Sequence, residues 1–138
     1  MPKQRLEAHL LAPVSNYLRR HAYGRQQVEV PFYDYRIDLY GYSRRLDSSV
    51  AVELKLTKWR RALQQAVVYQ LCADRVYVAL PQQVVTRVDT GLFDEHGIGL
   101  IAVSNVWRCS VLIQAQQSLV TKLDYRMRMV DSVLGSAA

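Results

Sequence analysis

A short apolar run that carries an acid and a base constrains this chain more than any other feature. Residues 51–56 read Ala-Val-Glu-Leu-Lys-Leu and follow Val50. Side chains alternate across a β-strand, so Glu53 and Lys55 share one face, and the aliphatic residues at 52, 54 and 56 share the other. Charges on an interior strand are costly unless they are paired or bind a metal. The run therefore predicts a buried strand that presents an acid and a base on one face.

Length and composition predict one domain. The chain has 138 residues, half of them apolar, which is enough to build one core. Its formal charge of +6 is compatible with an anionic partner, although many basic proteins bind no nucleic acid. We expect residues 1–134 to form the domain and residues 135–138 to be a disordered tail.

Several classes of protein are excluded by absent motifs. Cys72 and Cys109 form no CxxC pair, so neither a structural zinc site nor a disulfide framework is expected. No apolar run has the length of a membrane span, and the N-terminus lacks the apolar segment of a secretory signal. Neither glycine-rich nucleotide-binding motif occurs. These observations predict a cytoplasmic protein with no membrane partner.

Hydrophobic periodicity predicts a mixed order of helices and strands. Helices are expected over 3–21, 58–72, 82–89 and 116–134, and strands over 27–33, 35–42, 50–56, 75–80, 98–103 and 106–113. The first two strands form either a hairpin or one long bent strand. The closing helix is expected to bury one apolar face, formed by Leu119, Val120, Leu123, Met127, Val130 and Leu134. This order predicts a mixed α/β sandwich around one sheet.

Asp38 is a second acid on a predicted strand. Alternation puts Ile37 and Leu39 on one face of that strand and Asp38 on the other. If this strand pairs antiparallel with the next one through the polar turn 43–49, the carboxylates of Asp38 and Glu53 come within metal-bridging distance. Carboxylates on a rigid sheet are ligands for Mg²⁺, and a lysine beside the ion can orient or deprotonate an attacking water.

Two predicted helices offer further polar groups. Glu7 falls inside the apolar stripe of the first helix, where it either forms a salt bridge or cap or joins the acids. Gln65 and Tyr69 are four residues apart and share one helix face. That face is either a solvated flank or a polar strip that overlooks the acids.

Together these residues resemble the PD-(D/E)xK nucleases, the restriction-endonuclease-like superfamily. Asp38 is followed, after a gap of fourteen residues, by Glu53-Leu54-Lys55, and Glu7 fits the additional helical acid of many members. The spacing Gln65-x-x-x-Tyr69 is similar to the QxxxY element of some branches. The likeness covers roughly residues 3–103, and Ile37 stands where the family often has proline.

The resemblance implies a restriction-endonuclease-like three-layer α/β/α core around a mixed central sheet. It also implies a DNA endonuclease that depends on Mg²⁺ or Mn²⁺. The implied metal ligands are Asp38, Glu53, the Leu54 carbonyl and, directly or through water, Glu7. The implied catalytic residues are the three acids together with Lys55, Gln65 and Tyr69, among which Lys55 would assist the nucleophile.

The expected partner is DNA, and the basic residues nearest the acids are Lys58, Arg60 and Arg61. Such clusters position a duplex without reading its sequence, although most of them are solvated faces. A small chain without a readout module favours a structure-selective enzyme, similar to the small junction resolvases, or one that works as a homodimer or higher oligomer. Two alternatives stay open. One is a catalytically silent nucleic-acid-binding module on the same fold, and the other is an unrelated α/β domain with a structural Glu53–Lys55 ion pair.

Overall fold

One mixed sheet organises the part of the chain that this computed structural model describes, residues 7–105 and 107–136. Its strands lie side by side in chain order: β1 Arg25–Phe32, β2 Tyr35–Ser43, β3 Ser48–Leu54, β4 Arg75–Pro81, β5 Gly99–Asn105 and β6 Arg108–Ile113. The first three strands pair antiparallel, β3, β4 and β5 are parallel, and β6 returns antiparallel to β5. The predicted mixed α/β class is confirmed.

Helices cover both faces of the sheet. A short 3₁₀ turn, Ala8–Leu10, leads into α1 Leu11–Arg20, which packs on one face. The opposite face is covered by α2 Trp59–Tyr69, α3 Gln82–Val85, α4 Thr90–His96 and α5 Leu123–Ser136. None of the helices within 7–105 and 107–136 is long and apolar enough to cross a membrane.

The central strand β3 is buried on both faces, as its sequence predicts. Val50, Val52 and Leu54 lie in the core beneath α1, and Ala51 lies in the core beneath α2. A strand that pairs on both edges and is covered on both faces reads as a nearly continuous apolar run. Glu53 is therefore placed in the α2 layer by the alternation of the strand.

The strands β1 and β2 form a hairpin, which decides between the two arrangements that the sequence allowed. Phe32 pairs with Tyr35 across a two-residue turn. The prediction that Ile37 and Leu39 share a face is wrong, because Ile37 lies in the core beneath α2 and Leu39 in the core beneath α1. Regular pairing of β2 with β1 is interrupted between them, opposite Asp38, at Glu29, whose φ is +53°.

The closing helix differs from its prediction at both ends. Residues 116–122 are not helical, because their backbone bonds to other elements instead, as in Ser118 N–H to Asp74 O and Lys122 N–H to Leu71 O. The helix begins at Leu123 and continues through Ser136, so the expected tail is helical at 135–136, and 137–138 lie outside the described residues. Its buried residues are Met129, Val130 and Val133, whereas the predicted core residues Leu119, Val120, Leu123 and Met127 are exposed.

One helix was not predicted. The helix α4 begins after Asp89, whose Oδ1 accepts a hydrogen bond from Gly91 N–H, and ends at Gly97, whose φ is +72°. Both are standard helix boundaries. The segment is only seven residues long, so its single buried anchor, Phe93, makes no periodic pattern.

Asp74 connects three elements at the end of the sheet where β4 begins. Its Oδ2 accepts hydrogen bonds from Ser49 N–H at 2.8 Å and Ser49 O–H at 3.1 Å. The Nε–H of Arg126, on α5, donates to the same oxygen at 2.9 Å. A single buried carboxylate thus holds β3, β4 and α5 in position.

We expect Asp74→Ala to lower the free energy of unfolding by about 3–5 kcal/mol, because it leaves the Ser49 N–H and O–H and the Nε–H of Arg126 without their acceptor. Urea denaturation measures this change. The control is Asp47→Ala, which removes a solvent-exposed carboxylate that also pairs with Arg126 and should change stability little. An Asp74→Ala protein as stable as the Asp47→Ala protein would contradict this role.

Candidate active site

Asp38 and Glu53 face each other at the end of the β2–β3 ladder. The last regular pair of this ladder is Leu39 with Val52, and the next position along both strands is Asp38 opposite Glu53. The two carboxyl groups are close enough for each to influence the pKa of the other. The antiparallel arrangement that the sequence required for convergence of these acids is therefore present.

Glu53 is a buried acid, with only 3% of its surface exposed. Tyr69 O–H, from α2, donates to its Oε1 at 2.9 Å, and Lys55 Nζ lies 3.9 Å from its Oε2. Burial, together with the charge of Asp38, raises the pKa of Glu53 to about 8. Without a further cation, this side chain holds a proton at neutral pH.

Asp38 is held by the backbone of the neighbouring strand. Leu54 N–H donates to its Oδ2 at 2.8 Å, which fixes the carboxylate beside the Leu54 peptide. Burial raises the pKa of Asp38, and nearby Glu7 adds to this effect, while the Leu54 hydrogen bond opposes it. Asp38 and Glu53 thus both have a raised pKa, for the same two reasons: desolvation and another acid close by.

This pair of acids fits a hard divalent cation. Two carboxylates and a single half-buried ammonium leave an excess of negative charge when both acids ionise. Oxygen ligands on a rigid support suit Mg²⁺, which needs only one or two protein carboxylates and keeps several waters. Within residues 7–105 and 107–136, no group of three or more His, Cys, Asp or Glu side chains is arranged to hold a metal ion. A cation here would therefore complete its shell with the Leu54 carbonyl and water.

Glu7 lies on the other side of the same site. It lines a cleft of about 190 Å³ together with Asp38, Leu54 and Glu29, closed by Ala8, Leu11 and Val28. Glu7 is also close enough to Asp38 to raise the pKa of that carboxyl. Its position in the cleft fits contact through water.

Glu29 is the acid that sequence reasoning missed. It is exposed, sits on β1 and lines the cleft beside Asp38. Its place follows from the hairpin register, because Val28 pairs with Leu39 and Val30 with Ile37, which leaves Glu29 opposite Asp38. The two-residue turn at Tyr33 and Asp34 was the available signal, since it fixes that register.

The helix α2 brings Tyr69 to the acids and leaves Gln65 without a protein donor. The Tyr69 hydroxyl is buried, and burial raises its pKa, so it remains a hydrogen-bond donor to Glu53. Gln65 lies one turn earlier and is half-buried, and its Oε1 has no hydrogen-bond partner among the described residues. A buried acceptor without a protein donor is a place for a bound water.

The basic residues beside the site are exposed but do not act as one cluster. Lys58 precedes α2, and Arg61 lies in its first turn. The guanidinium of Arg60 stacks on the Trp59 ring at 4.5 Å from its centre and lines a separate groove between α2 and α4. Lys58 and Arg61 are thus exposed to solvent, while Arg60 is partly engaged by Trp59.

The raised pKa of Glu53 predicts a pH-dependent stability in the absence of divalent cations. Its folded pKa of about 8 exceeds the ordinary value of 4.5, so the stabilisation is complete below pH 4.5 and is lost as the pH rises to about 8. The loss should approach ~1.4 kcal/mol per pH unit within that window. We expect Glu53→Gln to remove this loss, as measured by urea unfolding in EDTA at several pH values.

The matched control for this pH series is Glu95→Gln, which changes an exposed carboxyl on α4. It should keep the wild-type pH dependence. Identical pH profiles for wild type and Glu53→Gln would show that Glu53 is not protonated in the folded chain.

Comparison with known proteins gives the fold but no activity. No protein-family model matches the chain, and a search of curated proteins found no match. A solved structure of a Silicibacter pomeroyi protein of unknown function is similar, with a TM-score of 0.75 and 18% sequence identity. The alignment covers 99% of this chain and 86% of that protein. The likeness extends over the whole chain and shows a shared fold.

Proposed function

We propose that this protein is a Mg²⁺- or Mn²⁺-dependent DNA endonuclease of the PD-(D/E)xK type, on a restriction-endonuclease-like fold. The observation that carries the proposal is the closeness of the half-buried Asp38 carboxyl to the buried Glu53 carboxyl, with Lys55 Nζ 3.9 Å from Glu53. Two acids that lie together with little hydration are unfavourable for folding. The pKa values that they perturb in this way are typical of functional sites. A purely structural Glu53–Lys55 ion pair would need no second acid.

The residues that would hold the ion are Asp38, Glu53 and the Leu54 carbonyl, with Glu7 acting through water. When bound, the ion lowers the pKa of a coordinated water and polarises a phosphoryl oxygen. The chain supplies rigidity, because two neighbouring strands carry the ligands and Leu54 N–H fixes Asp38. Fixed placement of this kind is what a metal site requires.

Lys55 is the proposed partner of the attacking water. It directly follows the strand that carries Glu53, its ammonium lies 3.9 Å from Glu53, and it would balance charge that develops on the phosphate. Tyr69 is a positioning residue that acts through Glu53, and Gln65 offers its buried acceptor to a water. Water attacks phosphorus in line, the bond to the leaving 3′ oxygen breaks, and the product keeps a 5′-phosphate.

The proposed partners are DNA and a second copy of the chain, in the cytoplasm. Lys58 and Arg61 are exposed beside the acids and suit phosphate contacts, with Arg60 contributing from the flank. The dimer proposal is supported by an exposed apolar strip at and before the start of α5, formed by Leu119, Val120, Leu123 and Met127. Large exposed apolar patches mark interaction sites.

We expect analytical ultracentrifugation to show a dimer that Leu123→Glu with Met127→Glu converts to a monomer, because charge on the strip opposes its burial. Glu95→Gln, on a helix at some distance in sequence, serves as the control and should leave the dimer intact. A wild-type protein that sediments only as a monomer of 15.9 kDa at high concentration would end the dimer proposal.

We expect the wild-type protein to cut supercoiled or branched DNA with Mg²⁺ or Mn²⁺ and not with EDTA. Glu53→Gln and Lys55→Ala should each lower the rate roughly 10²- to 10⁴-fold, since each removes a group that acts on the water or the phosphate. Initial rates on labelled plasmid and junction substrates measure this, and circular dichroism verifies folding.

The matched controls are Glu95→Gln and Lys122→Ala, which make comparable changes at exposed positions away from the acids. Both should cut at the wild-type rate. Cleavage that persists in Glu53→Gln and Lys55→Ala would refute the site. DNA binding by the wild type without any cleavage would instead favour the catalytically silent binding module.

A further inference from the structure

The β5–β6 hairpin projects past the proposed active site at the same end of the strands. The strands β3, β4 and β5 are parallel, and Leu54 is level with Ala79 and Ile101. β5 continues four residues beyond Ile101, to Asn105, which carries it about 13 Å past the level of Leu54. Two strand spacings separate β3 from β5, so the hairpin rises roughly 10 Å to one side of Glu53.

Trp107 stands at the tip of this hairpin with 78% of its surface exposed. Its backbone N–H donates to Asn105 Oδ1 at 2.8 Å, and Ser104 O–H donates to Arg108 O at 3.2 Å. The turn is therefore held by local hydrogen bonds, while the indole contributes little to the core. Arg108, the next residue, is also exposed. A large ring beside a cation is the pairing that proteins use to contact single-stranded nucleic acid.

The β1–β2 hairpin rises on the other side of the site. Its last pair, Phe32 with Tyr35, lies three residues beyond Asp38, which is about 10 Å along the strand. Tyr33 at its tip is 65% exposed, and its ring packs against Phe32 and Tyr125. The two hairpins therefore extend beyond the level of the acids on either side of them, each with an exposed aromatic residue in its turn.

We propose that Trp107 stacks on an unpaired base and that the substrates of this site are single-stranded or branched DNA, an inference that rests on the proposed endonuclease function. In a regular duplex both faces of each base are covered by its neighbours, so an indole on a projecting tip meets a free base face where the helix is open. Arg108 is placed to contact the phosphate beside that base. Branch points and flaps offer such a base next to a phosphodiester bond.

The test compares binding of forked DNA and blunt duplex DNA of equal length by fluorescence anisotropy, in EDTA so that nothing is cut. Trp107→Ala should weaken binding of the forked DNA roughly 5- to 150-fold, the range of one base-stacking contact, and leave blunt duplex binding nearly unchanged. Trp107→Phe should restore most of the loss. The control is Leu46→Ala, which changes an exposed apolar residue in the β2–β3 turn at the opposite end of the strands. It should bind both DNAs as the wild type does.

Three results would overturn the inference. The first is equal binding of forked DNA by Trp107→Ala and wild type. The second is an equal loss of affinity for forked and blunt duplex DNA in Trp107→Ala. The third is a change in sedimentation with unchanged DNA binding, which would assign Trp107 to a protein contact. Cleavage in Mg²⁺ separates this inference from the proposed function. If wild type and Trp107→Ala cut forked DNA equally, only the stacking role fails. If forked DNA binds through Trp107 but is never cut, only the endonuclease proposal fails.

Discussion

Antiparallel pairing of β2 with β3 is the constraint on which the candidate site depends. The register puts Asp38 directly beyond the Leu39–Val52 pair and opposite Glu53. A shift of one residue would turn every side chain on one strand to the other face and would separate the acids. The register is held by burial on both faces of β3 and, at the far end of the strand, by the hydrogen bonds of Asp74 to Ser49. The core and the site thus depend on the same ladder.

The two ends of the central strands have different roles. At the end where β4 begins, the charge of the Asp74 carboxylate is neutralised within the chain, because it pairs with Arg126 and accepts two hydrogen bonds from Ser49. At the opposite end, the ammonium of Lys55 can balance one of the two acids, so Asp38 and Glu53 can ionise together only with a further cation. Two acids that cannot both ionise without a cation are costly to stability, and they are retained where the charge has a use.

The sequence predicted the parts of this structure that local alternation controls. The two-residue period assigned the faces of β3, and the four-residue spacing from Gln65 placed Tyr69 on the side of α2 that meets Glu53. The sequence could not predict the change of face between Ile37 and Leu39, because alternation assumes a regular strand and the pairing of β2 with β1 is interrupted between these two residues. The same holds for Glu29 itself, which reaches the cleft only through the hairpin register. The predicted helix and buried face at the residues before α5 were wrong for another reason. The apolar side chains there have the spacing of a buried stripe, but they are exposed.

The central claim is that Asp38 and Glu53 share one divalent cation, and a crystal soaked in Mn²⁺ tests it most directly. The anomalous difference map should show one strong peak between the two carboxylates, within bonding distance of both and of the Leu54 carbonyl. The peak should be absent in crystals of Asp38→Asn. A map without a peak at this position at millimolar Mn²⁺, or with the same peak in Asp38→Asn, would contradict the account.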